Sequence, residues 1–123
     1  MRIAALTVTL LIAALHFYIA WFEIFAWETR GPEVFASFPD DLFAQTTTLA
    51  ANQGLYNAFL AAGLLWVVVI QNRSWQQNVA TFFLGCVFVA GVFGAATASF
   101  SILYVQTVPA TIGLALWWLR GRA

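Results

Sequence analysis

Four apolar runs dominate the chain, and they decide the solvent in which it folds. They span about residues 3–27, 47–70, 75–98 and 102–119. At ~1.5 Å per residue the first three exceed, as helices, the ~30 Å hydrocarbon core of a bilayer, and the fourth, at ~27 Å, is near the lower end of the span range. Of 123 residues, 63% are hydrophobic and only 8% charged, a composition foreign to soluble domains. The expected fold is all-α: one transmembrane domain over residues 1–123, an integral membrane four-helix bundle. Zero net charge and the lack of lysine leave no basic surface for nucleic acid. A cleaved secretory signal fits the first run poorly, because bulky Phe17, Tyr18 and Trp21 follow Leu15 where small residues would be needed.

The connections refine this plan. Residues 28–43 carry Glu28, Glu33, Asp40 and Asp41 against Arg30, interleaved with Val34, Phe35, Phe38, Leu42 and Phe43. That mixture suggests an acidic connection between helices one and two lying on the membrane surface. Gly31-Pro32 is expected to break the chain, and Pro39-Asp40-Asp41 to start a helix before the membrane does. Ser74 with Gln77 matches a capping box opening the third helix. Asn72-Arg73-Ser74 is formally a glycosylation sequon, inert on the cytoplasmic side where the orientation below puts it. The short link 99–101 makes helices three and four an antiparallel hairpin, and Pro109 predicts a kink beside Gln106 by removing the donor to Val105.

With four spans, Arg2, Arg73, Arg120 and Arg122 share one side and Arg30 stands alone on the other. The positive-inside rule makes both termini cytoplasmic, with Trp66, Trp75, Trp117 and Trp118 as an inner aromatic belt.

Polar side chains inside the spans mark the candidate site. Asn52, Gln53, Tyr56 and Asn57 fall on one arc of about 140° on the second helix. Ala50, Gly54, Ala58 and Ala62 form a small-xxx-small face beside them, and Gly85, Gly91, Ala90, Gly94, Ala95 and Ala98 form another on the third helix. Counting depth from the outer ends places Glu23 level with Asn52, Gln53 and Gln106, and His16 level with Tyr56 and Asn57. The amides can be explained by helix register alone, and Tyr56 as an interfacial or core aromatic. Glu23 and His16 point further, to ligand binding or proton relay, because a register lock needs no titratable groups. Seven residues apart, those two are on one face but too distant to pair, and a helical metal motif would space its ligands by three or four. One internal cysteine, Cys86, and only the initiator methionine argue against copper handling. No metal or cofactor is implied.

These motifs resemble the small bacterial four-helix membrane proteins gathered as domain of unknown function 1304. The resemblance rests on His16 through Glu23, Trp27-Glu28-Thr29, Ala50 through Asn57, Phe59 through Gly63, Phe83-Leu84-Gly85-Cys86, Ala90-Gly91, Gly94 through Thr97, Gln106 and Pro109-Ala110. It implies a multi-pass protein of the bacterial inner (plasma) membrane and assigns no activity. The leading reading is an outer-half polar pocket binding a lipid, a quinone or another small amphipathic molecule. The alternatives are a proton-coupled transporter using Glu23 and His16, and a membrane enzyme such as a lipid isomerase, whose catalytic residues the sequence does not identify. Expected partners are membrane lipids and that small ligand; a homo-oligomer stays open.

Overall fold

A computed structural model describes residues 1–121; Arg122, counted above among the inner-side charges, lies outside the described residues. The described chain is all-helical, with no strand. Three helices are long and apolar enough to cross a membrane: α1 (Arg2–Phe25), α4 (Thr47–Val69) and α5 (Arg73–Thr97). Between α1 and α4 lie two short helices, α2 (Trp27–Val34) and α3 (Asp40–Gln45). A π-helical turn, Leu103–Thr107, runs directly into α6 (Val108–Leu119); this apolar segment is shorter than the other three.

Local chemistry explains the boundaries. No glycine or proline interrupts α1, which stops at Ala26 rather than continuing through Trp27. There the chain turns so that the Trp27 indole donates to Thr46 Oγ1 at 2.9 Å and its ring packs against Phe22, Phe35 and Phe43. Gly31-Pro32 does not break the chain, contrary to the expectation: both sit inside α2, where the missing proline N–H costs a single bond in a short helix. Gly31 earns its place by close approach, since a Cβ there would strike the Phe43 ring. Asp40 and Asp41 do occupy the first turn of α3, but that helix ends at Thr46 and α4 starts afresh. The cap of α5 is also different. Asn72, not Ser74, is the N-cap residue, its Oδ1 accepting from Trp75 N at 3.0 Å.

The Pro109 kink takes a specific form. Val108 N–H reaches back five residues to Leu103 O, so the turn before the proline is widened rather than simply bent. This turn brings Thr107 onto α5, where its hydroxyl donates to Phe88 O at 3.2 Å over the bare backbone of Gly91.

Helix α1 packs most extensively on α4, and α5 on the π turn and α6; α4 also meets α5, and α1 meets α6. The core lies in the half nearest the termini. Ala5, Ile12 and Ala13 meet Leu64 and Val67 of α4, Ala80, Leu84 and Val87 of α5, and Ala110 and Trp117 of α6. Trp117 is therefore not part of an aromatic belt: it is fully buried and donates to Thr9 Oγ1 at 3.0 Å, while Trp66, Trp75 and Trp118 stay exposed. Arg120 stacks over the Trp117 ring and donates to Gln76 Oε1 at 3.3 Å. Burial, with the nearby charges of Arg2 and Arg73, pushes its guanidinium below the usual range, so these three arginines gather at one end. Only about a third of the residues in α1 and α4 are buried, and large apolar side chains such as Phe59, Phe82 and Phe93 point outward.

Candidate functional site

In the half opposite the termini the helices part. The space between α4 and α5 is a cavity of about 370 Å³. Gln53, Tyr56, Asn57 and Leu60 supply its α4 wall, and Ala90, Phe93, Gly94 and Thr97 its α5 wall. Trp27, Phe35 and Phe38 line it from the connection between α1 and α4. These aromatics form a packed cap, Phe35 stacking on Phe38 at 5.2 Å and Trp27 lying 5.2 Å from Phe43. A second cavity of about 210 Å³ is lined by Leu15, Tyr18, Ile19 and Phe22 of α1 and by residues 101, 102, 105 and 106. Glu23, Phe35, Ile102 and Gln106 belong to the walls of both.

Among the described residues the acid at this junction has one hydrogen-bond partner. Asn57 Nδ2 donates to Glu23 Oε2 at 2.9 Å, and also lies 3.3 Å from Gln53 O. The depth count had assigned Asn57 to His16. Helical side chains lean toward their own N-terminus, so on antiparallel helices Glu23 leans toward the terminal end and Asn57 away from it, and they meet although their Cα levels differ. Close backbone approach permits this. A Cβ on Gly54 would stand 2.7 Å from Ile24 Cγ1, 3.0 Å from Ala20 O and 3.1 Å from Glu23 Cβ.

The other candidates separate. Gln53, Tyr56 and Gln106 line the cavity with Glu23, whereas Asn52 is exposed and lines neither space. His16 does not meet Tyr56, which is exposed and packs edge-on against Phe59. Instead His16 is fully buried in the seam of α1, its Nδ1 2.8 Å from Ile12 O. A carbonyl only accepts, so Nδ1 carries the proton in that bond, and Nε2 has no partner among the described residues. Neither cavity reaches His16, and no hydrogen-bonded chain among the described residues links it to Glu23.

Sequence reasoning missed the roof. Trp27 reads as the end of the first span and Phe35 and Phe38 as parts of a surface-lying connection; the only signal for their inward role is the crowding of aromatics beside Gly31. The expected close-packing face of α4 also shifts. Ala50 and Gly54 are buried, but the stripe continues through Asn57, Ala61 and Leu64 while Ala62 is exposed. Spacing that alternates four and three keeps a seam against an antiparallel neighbour, where strict fours drift off it.

The sequence profile of the family described as "Protein of unknown function (DUF1304)" matches residues 10–118. The chain is similar to the "Uncharacterized protein YpaA" of Lactococcus lactis subsp. lactis (strain IL1403), with 28% identity over 108 residues, 86% of this chain and 89% of the relative. No solved structure matches.

Proposed function

The chain belongs to the DUF1304 family, and from its geometry we propose a small bacterial inner-membrane protein whose capped cavity holds a lipid headgroup, a quinone headgroup or another small amphipathic molecule. The observation that carries this reading is the composition of the cavity. Its volume falls in the range of ligand sites, its walls are aromatic and small apolar residues, and its few polar groups converge around the Glu23–Asn57 pair. In this reading α1, α4, α5 and the segment 103–119 form a four-span bundle with both termini cytoplasmic. The grouping of Arg2, Arg73 and Arg120 at one end supports that orientation. The shorter fourth segment is matched by local thinning of the bilayer.

The test is extraction of the protein in mild detergent, followed by mass spectrometry of what it retains. Ala90→Trp fills the cavity from α5 and serves as the comparison. A small amphipath retained by wild type and absent from Ala90→Trp supports the proposal; identical profiles overturn it.

A second reading, proton-coupled transport, draws on Glu23, an acid inside an apolar span that lines both cavities. Proteoliposomes with an imposed pH gradient decide it: Glu23-dependent flux of an amphipath supports transport, and its absence leaves binding alone.

A further inference from the structure

Resting on the cavity reading above, we propose that the ligand's polar end is an alkylammonium group, so that the protein binds amphipathic organic cations. Three observations on charge and shape lead there. Glu23 lies in the cavity wall with a single hydrogen bond, from an uncharged amide. Among the described residues no arginine or histidine lines either cavity, and the chain has no lysine. Arg30 of the cap lines neither cavity; its guanidinium lies 5.6 Å from the centroid of the Tyr18 ring, a wall residue of the second cavity.

Trp27, Phe35 and Phe38 line the cavity together with the carboxylate, and the largely exposed Tyr56 and Phe93 complete its wall. Aromatic faces attract quaternary and alkyl ammonium groups through their quadrupole, most strongly where water is excluded. They offer nothing comparable to a phosphate or carboxylate, which Glu23 would repel. The cap carries Glu28, Glu33, Asp40 and Asp41 against Arg30, a field that concentrates cations at the same end. A neutral headgroup would use Gln53, Asn57 and Gln106 equally well and leaves the acid unexplained. A cation uses the acid, the aromatic ring set and the acidic cap together.

The experiment is equilibrium dialysis of purified protein in a neutral maltoside against radiolabelled decyltrimethylammonium, decanol and decanoate. Protein-free micelles give the background, and the part lost in Ala90→Trp defines cavity binding. Decyltrimethylammonium is expected to bind at least tenfold tighter than the other two, about 1.4 kcal/mol. Glu23→Gln, whose amide oxygen still accepts from Asn57, is expected to remove that preference. Equal cavity binding of all three amphipaths overturns the cation inference while leaving the cavity reading in place. No Ala90→Trp-sensitive binding of any amphipath overturns both. Repeating the assay in phosphatidylglycerol nanodiscs with and without phosphatidylethanolamine finds the source. Competition assigns the ammonium to a lipid headgroup and unchanged binding to a diffusible cation, both in support.

Discussion

Gly91 and Gly85 lie six residues apart on α5, and the structure gives them opposite roles. A Cβ on Gly91 would strike Thr107 Oγ1, stand 2.8 Å from Thr107 N and 3.0 Å from Gln106 Cβ. The middle contact is backbone, so relief requires moving the π turn as a whole. Gly91→Ala should add about 1 to 3 kcal/mol of overpacking. It should also lose the Thr107 to Phe88 hydrogen bond, about 1 kcal/mol, against a helix-propensity gain of about 0.5 to 1 kcal/mol. The net expectation is a destabilisation of about 1 to 3 kcal/mol. Gly85 has nothing within 4 Å of a built Cβ, so Gly85→Ala keeps only the propensity gain and should stabilise by about 0.5 to 1 kcal/mol. Reversible unfolding in mixed micelles, followed by circular dichroism, measures both. If Gly91→Ala unfolds with or above wild type, the packing of α5 on the π turn described here is wrong.

Other substitutions probe other contacts. Glu23→Gln should fold like wild type, whereas Glu23→Leu removes the carboxylate acceptor of the Asn57 amide, leaving it only Gln53 O at 3.3 Å, and should cost about 1 to 3 kcal/mol in the same unfolding assay. Asn72→Ala should cost about 1 kcal/mol by removing the cap of α5, while Ser74→Ala should be nearly neutral; equal effects would restore the Ser74 capping box. A double-mutant cycle on Thr9→Val and Trp117→Phe should return a coupling of about 0.5 to 1.5 kcal/mol, and zero would contradict the buried bond.

The long helices were legible because hydropathy over twenty or so residues averages out individual side chains. Asn52 through Asn57 and Glu23 were legible as candidates for the opposite reason: polar groups in an apolar run are costly and few. What the sequence could not supply was direction. Counting levels along helix axes ignores the lean of each side chain, which is why Asn57 was matched to His16 and meets Glu23 instead. The small-residue face of α4 was extrapolated at four-residue spacing to Ala62, where the packed seam steps back to Ala61. Trp117 read as a belt residue because position near a helix end suggests an interface, and only its meeting with Thr9, 108 positions away in sequence, puts it in the core. The roof over the cavity depends on the same kind of distant meeting. Trp27 turns inward because Thr46 and Phe43 receive it, and no local pattern encodes that.

The most direct measurement of the central claim is an experimental structure of the protein in a lipid nanodisc, resolved well enough to show non-protein density. Elongated density is expected between α4 and α5 under Trp27, Phe35 and Phe38, with its polar end within hydrogen-bond or ion-pair distance of Glu23. Side chains closed over that space, or water alone beside the carboxylate, would contradict it.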